Sequence, residues 1–279
     1  LRDRNCLMLG RDSRNDMVID HPVVSRFHAK IELEKGAWVI TDLNSSIGTF
    51  VNSQKIVQQQ SLRPSDTIRI GPLRLIFNLN ETLTAKNETG NLRLDAINLC
   101  KIVGQGKLLL DDISLSILPR EFVVVAGVSG GGKSTLLDAL NGFRPATSGN
   151  VLINGMDLYA NFDAYRTELG YVPQKDIIHM ELSVEEALDF AAQLRMPSDT
   201  NLPERKQRLQ EVLDELGLTQ RRDVPIRALS GGQLKRVSMG VELLTKPSLF
   251  FLDEATSGLD PGTEGDIMRL LRNLADSGR

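Results

Sequence analysis

"FVVVAGVSGGGKSTLLDALNGF", residues 122–143, decides the architecture of most of the chain. Its first part is a continuous apolar run with the length of a parallel strand buried on both faces. Its last part, from Ser134 on, has the spacing of a helix. Between them Gly127-Val-Ser-Gly-Gly-Gly132-Lys133-Ser134 fits the phosphate-loop pattern G-x-x-x-x-G-K-[ST]. Glycines let successive backbone N–H groups turn inward as an anion nest, and the helix N-terminus adds its positive end. Lys133 has the reach for β and γ phosphates, and Ser134 stands where a hydroxyl ligates Mg²⁺.

Working outward, helical and strand patterns alternate, which implies an α/β fold. "SVEEALDFAAQLRM" opens with Ser183 and Glu186 at capping-box spacing. "ERKQRLQEVLDELGL" puts Leu209, Val212, Leu213 and Leu216 on one helical face. "QLKRVSMGVELL" reads as a helix and "SLFFLDE" as a strand. That strand ends in Asp253, a carboxylate at the edge where α/β ligands bind and suited to holding a metal. Glu254, one residue on, points differently and suits polarising an attacking water. In "LSGGQ", residues 229–233, Ser230, Gly231 and Gly232 offer hydroxyl and amide donors at another helix N-terminus.

Before about Leu79 the rhythm is different. "AKIELEKGAWVITDL" alternates and turns at Lys35-Gly36; "GTFVNSQKI" and "DTIRIGPLRLIFNL" read as hairpins around Asn52–Gln54 and Gly71-Pro72. Short strands at this spacing without helices predict a β-sandwich. Residues 80–91, "NETLTAKNETGN", are polar and rich in Thr and Asn, the composition of a linker.

The 279 residues are enough for two ordinary domains, and 41% hydrophobic with 25% charged residues excludes a disordered or fibrous chain. The net charge of −3 is uneven: residues 1–80 carry 11 Lys/Arg against 8 Asp/Glu, residues 91–279 carry 21 against 26. The positive front suits an anionic ligand and falls short of a nucleic-acid patch. Cys6 and Cys100 show no metal spacing and fit a reducing compartment. No stretch approaches the roughly 20 apolar residues of a membrane helix, and no signal peptide opens the chain. The ends, "LRDRN" and "ADSGR", read as cuts within a longer polypeptide.

Residues 92–279 resemble the nucleotide-binding domain of ATP-binding cassette (ABC) proteins. "GVSGGGKST" is similar to the Walker A loop, "YVPQKD" to the glutamine loop with Gln174, and "LSGGQ" to the signature; "LFFLDE" resembles Walker B and "SGLD" the D-loop with Asp260. The resemblance implies an ATPase. Gly127, Ser129, Gly130, Gly131, Gly132, Lys133, Ser134, Thr135 and Gln174 then hold ATP, together with Ser230, Gly231, Gly232, Gln233 and Asp260. Ser134, Gln174 and Asp253 hold Mg²⁺, and Glu254, Lys133 and Gln174 serve catalysis. It also implies two cassettes stacked head to tail, each signature covering its mate's nucleotide, so a second copy completes the site. "LNGFRPATSG" and "GVELLTKPSLFFLDEATSGLD" are similar to the G-type subgroup, whose cassettes precede a membrane permease domain in one polypeptide.

Two departures stand out. No aromatic residue lies between Leu92 and Glu121, so adenine would meet apolar groups such as Val103 rather than a ring. The histidines are His21, His28 and His179, so the family's switch histidine beyond Asp260 is not within these residues. Residues 1–279 alone are expected to bind ATP better than they hydrolyse it.

"LGRDSRNDMVIDHPVVSRFHAKIEL" with "ITDLNSSIGTFVN", within residues 1–79, resembles a forkhead-associated (FHA) domain, a sandwich that reads phosphothreonine peptides. The resemblance assigns phosphopeptide contacts to Arg11, Ser25, Arg26 and Ser46, with His28 as an internal brace. Ile47 replaces a peptide-bonding amide, which bears on peptide selectivity.

The expected fold is multidomain: an all-β sandwich over 1–79, a linker over 80–91, and over 92–279 an α/β P-loop domain with a helical signature subdomain. The expected role is the ATP-driven cytoplasmic-face segment of a transporter, in the exporting direction, regulated by the sandwich. Its partners would be a phosphothreonine protein or the chain's own linker threonines Thr82, Thr84 and Thr89, with a Ser/Thr kinase upstream and no nucleic acid. The alternatives are a soluble ABC-type ATPase or a phosphopeptide-dependent scaffold. Only 96 positions separate Ser134 from Ser230, too few for the coiled-coil insert of chromosome-type members.

Overall fold

The computed structural model describes residues 5–175 and 177–279. Its first ten strands are β1 (Cys6–Gly10), β2 (Met17–Val18), β3 (Ala29–Glu34), β4 (Ala37–Asp42), β5 (Phe50–Val51), β6 (Gln54–Lys55), β7 (Gln59–Ser61), β8 (Thr67–Ile70), β9 (Leu73–Phe77) and β10 (Leu83–Asn87). They form two five-stranded sheets, β2-β1-β3-β4-β7 and β10-β9-β8-β5-β6. Period-2 alternation decides which side chains go inside. Ala29 and Ile31 of β3 and Leu73, Leu75 and Phe77 of β9 are buried, and they join Leu9, Ile40, Ile68 and Ile70 in one core.

The hairpins form where turn chemistry placed them. Lys35 (φ 49°) and Gly36 (φ 82°) are the two-residue turn between β3 and β4, whose register pairs Glu34 with Ala37. Asn52 (φ 50°) and Ser53 (φ 66°) do the same between β5 and β6. Residues 83–87, whose composition reads as linker, instead form β10. They pair antiparallel along β9, from Leu83 opposite Phe77 to Asn87 opposite Leu73. A polar, Thr-containing segment suits an edge strand, which needs backbone partners on one side and no buried face.

The remaining elements are β11 (Leu94–Val103), β12 (Lys107–Ile117), α1 (Lys133–Leu140), β13 (Ser148–Ile153), β14 (Met156–Asp157), α2 (Phe162–Tyr165), β15 (Leu169–Val172), α3 (Val184–Arg195), α4 (Leu202–Glu215), α5 (Gly231–Leu243), β16 (Leu249–Leu252) and α6 (Pro261–Asp276). An antiparallel sheet runs β12-β11-β13-β14, and β15 pairs with β16 in parallel. Two compact units result. One holds the sandwich through Glu88 with Ile178–Ala228 and Gly240–Lys246; the other holds Thr89–Ile177, Leu229–Met239 and Pro247–Arg279.

Helix α3 starts where its sequence says, and α4 starts at Leu202, two residues before the stretch whose periodicity marks it. Ser183–Glu186 and Asn201–Glu204 each form a reciprocal capping box. Leu209, Val212, Leu213 and Leu216 are buried, and Gly240 makes room for them: a Cβ there would lie 2.9 Å from Leu216 Cδ1.

One expectation fails. The run Phe122–Ala126 joins no ladder, and Val124 is 62% exposed. Phe122–Val125 border a cavity of about 300 Å³ that Leu249–Leu252, Leu271 and Leu274 also line. An apolar run calls for burial but does not name the strand that supplies its backbone hydrogen bonds, and β16 takes its partners from β15.

Candidate functional site

The phosphate loop is shaped by two glycines in the left-handed region, Gly130 (φ 76°) and Gly132 (φ 84°). The Gly131 N–H donates to Val128 O at 3.1 Å, closing a turn. Lys133 Nζ donates to Gly127 O and Val128 O, each at 3.0 Å, and so bridges the loop. Gly132 is the N-cap of α1, and no side chain caps that helix. First-turn N–H groups have no intrahelical partner, so this end suits an anion. Ser134 lies exposed on the same turn.

Strands β15 and β16 run in register, Val172 beside Leu252, and deliver their following residues to one edge. The Asp253 N–H continues the pattern to Val172 O at 2.9 Å, and Asp253 is buried. Gln174 Nε2 donates to Glu254 Oε2 at 2.6 Å, across 80 positions of sequence. Glu254 has φ 50°, a left-handed backbone that an L-residue adopts at a cost of about 1–2 kcal/mol. Lys133, Asp253 and Glu254 all border the cavity described above. The structure thus gathers Lys133, Gln174, Asp253 and Glu254. Ser134, Gln174 and Asp253 each offer an oxygen, the donor type that Mg²⁺ takes.

In the signature turn Ser230 and Gln233 cap α5 reciprocally. The Ser230 N–H donates to Gln233 Oε1 at 3.1 Å, and the Gln233 N–H donates to Ser230 Oγ at 3.3 Å. A Cβ on Gly232 would lie 2.2 Å from Thr263 Cγ2, so the turn backs closely on the start of α6. Asp260 caps α6 by accepting from the Gly262 and Thr263 N–H groups, both at 3.1 Å. The bonds from Thr263 and Gly262 hold its carboxyl below the usual range. Val103, at the end of β11, is partly exposed.

On the sandwich, Arg11 follows β1. Its N–H donates to Ser25 O and its Nε to Val24 O, both at 3.0 Å, which fixes the guanidinium over the next loop. His28 is fully buried and braces that loop: the Ser25 N–H donates to Nδ1 at 3.2 Å, so the proton sits on Nε2, which donates to Gly48 O at 3.2 Å. Burial pushes the imidazole below its ordinary value, against the Gly48 bond and the charges of Asp42 and Asp199. Ser25 Oγ accepts from the Ser46 N–H at 3.1 Å, joining two of the expected contacts. Arg26 is turned to Asp12, with Nη2–Oδ2 at 2.9 Å. Bonds from Arg14, then from Arg26, hold the Asp12 carboxyl well below the carboxylate range.

Other residues here carry no linear signal. Asn15 ties the loop through Nδ2 to Arg26 O at 2.7 Å, and Asp42 accepts from Ser45 and Thr49 at 2.6 Å each. Asp199, Thr200 and Glu204 of the helical segment reach Arg11 across about 190 positions of sequence.

Comparison with known proteins identifies two families in the chain. The family model for ABC transporters matches residues 110–257, more than half of the chain, and that for the FHA domain matches residues 7–71. The chain is 41% identical over 275 residues to the ABC transporter ATP-binding/permease protein Rv1747 of Mycobacterium tuberculosis, covering 97% of this chain and 32% of that protein. It is 40% identical over 180 residues to the broad substrate specificity ATP-binding cassette transporter ABCG2 of Rattus norvegicus, covering 62% and 27%. Among solved structures, cbiO1 from Clostridium perfringens, part of the ABC transporter complex cbiONQ, superposes with a TM-score of 0.61 at 29% identity, covering 67% of this chain and 75% of that one. The chain spans about a third or less of the length of these curated relatives. With phosphate loop, glutamine loop, Walker B carboxylates and signature turn present in a matching fold, the chain belongs to the ABC transporter family and carries its ATPase domain behind an FHA domain.

Proposed function

We propose that this chain is the ATP-driven segment of an exporter, working at the cytoplasmic face of a membrane and coupled to a permease domain. The observation that carries the reading is the Gln174–Glu254 bond beside Asp253 and Lys133, which brings three separate motifs to one edge. Lys133 and the uncapped first turn of α1 bind the phosphates, and Ser134, Gln174 and Asp253 hold Mg²⁺, which neutralises phosphate charge when bound. Glu254 polarises the attacking water, held in place by Gln174. Ser230, Gly231 and Gly232 act on the nucleotide of a second copy, so ATP closes a cassette dimer and its hydrolysis reopens it. The permease partner is supported by the name of the Mycobacterium relative, an ATP-binding/permease protein. Among the described residues no helix is long and apolar enough to cross a membrane.

The FHA sandwich reads phosphothreonine through Arg11, with Ser25, Arg26 and Ser46 completing the contact. A guanidinium fork is the strongest single phosphate contact available to it. Two assays test the reading. Full-length protein should lose ATP turnover with Glu254→Gln while still binding ATP. Phosphothreonine peptides should bind the wild type and not Arg11→Ala; equal binding by both removes the phosphate-reading claim.

A further inference from the structure

The phosphate end of the sandwich already has anionic company in its own compact unit. Arg11 Nη1 lies 2.8 Å from Glu204 Oε1, and Nη2 lies 3.4 Å from Thr200 Oγ1 and 3.9 Å from Asp199 Oδ1. The Arg26 N–H donates to Asp199 Oδ2 at 2.6 Å. Together these leave the Arg11 side chain only 11% exposed. Four oxygens from three residues of one short segment therefore meet the donors that a phosphothreonine phosphate would need.

The segment is built to present them. Glu204 Oε2 accepts from the Asn201 N–H at 3.0 Å in the capping box of α4, which fixes the carboxylate while Oε1 faces Arg11. The Thr200 N–H donates to Pro197 O at 2.9 Å, so the turn carrying Asp199 and Thr200 is closed as well. Two carboxylates approximate the charge of a phosphate monoester, −1.5 to −2 near neutral pH. A phosphate on Thr200 itself would face both carboxylates, so the segment serves as an acidic stand-in and not as a phosphoacceptor.

We propose that residues 199–204 are an intramolecular ligand of the FHA phosphate site, which an incoming phosphothreonine peptide must displace. The inference rests on the phosphopeptide reading given above and adds a competitor to it. The displaced segment joins α3 to α4, and α3 is tied to α5 by Arg195, whose Nη1 donates to Glu242 Oε2 at 2.8 Å. Peptide capture and docking of these helices on the sandwich then exclude each other, and by linkage each weakens the other equally.

The test uses the full chain as wild type, as Asp199→Asn/Glu204→Gln, and as Arg11→Ala. Gln at 204 keeps the capping box, so α4 is preserved. The probe is a fluorescent pool of phosphothreonine peptides with degenerate flanks, together with hydrogen exchange over residues 198–205. The double variant should bind the pool at least about five-fold more tightly than the wild type, the lower range of such couplings. Arg11→Ala should speed exchange in the segment. Equal binding by wild type and double variant overturns the competition and leaves the phosphopeptide reading standing. Failure of both to bind overturns that reading and the competition with it. Unchanged exchange in Arg11→Ala overturns the docking itself, whatever the titration shows.

Discussion

Glu254 holds its carboxylate beside Gln174 on a backbone of φ 50°, a conformation that persists only where its surroundings impose it. Replacing it with Gln keeps the shape and removes the proposed base. Turnover by the full-length protein should fall about 10²-fold or more, with ATP affinity nearly unchanged. Lys133→Ala should act on affinity instead, weakening ATP binding by roughly ten-fold or more, the worth of a charged hydrogen bond; equilibrium titration separates the two. His28 supplies a pH signature. Its folded pKa is depressed by burial, so its contribution is present above its unfolded value of about 6.5 and is lost as pH falls below it. Tm of the sandwich should drop between about pH 7 and pH 5, and His28→Asn should flatten that slope. Asp12 does not blur the window, because its depressed pKa places its loss at lower pH.

At the scale of elements, β10 is held by more than its ladder. Glu88, which follows it, pairs with Arg69 of β8 at 2.7 Å, and both are buried. Glu88→Ala would leave the guanidinium buried without its carboxylate and should destabilise the sandwich by about 3 kcal/mol, read from denaturant midpoints. Ser183→Ala should cost about 1 kcal/mol through the cap of α3. The sequence makes that cap legible because the Ser–Glu spacing is the interaction itself. The hairpins at Lys35-Gly36 and Asn52-Ser53 are legible for the same reason: their turns are decided by four consecutive residues. Strand pairing between distant segments is not local. Nothing in Phe122–Ala126 reveals whether a ladder partner stands beside it, and nothing in Leu83–Asn87 reveals the free edge of β9 that recruits it.

Across the whole molecule the same distinction separates the two sites. The candidate nucleotide site is legible because its residues arrive as contiguous motifs, and the fold has only to bring loop, β15 and β16 together. The company of Arg11 was not readable: Asp199 and Glu204 look like an ordinary acidic turn before a helix until α4 is packed against the sandwich. The proposed assembly is larger still, with each nucleotide held between one copy's Lys133 and its mate's Ser230. The direct measurement is ATP turnover by full-length Lys133→Ala and Ser230→Arg proteins, apart and mixed. Each alone should be inactive. Mixed dimers hold one intact composite site, so mixing should restore a measurable fraction of wild-type turnover. Turnover that stays at the level of the separate variants, in dimers shown to contain both, would rule out the composite site.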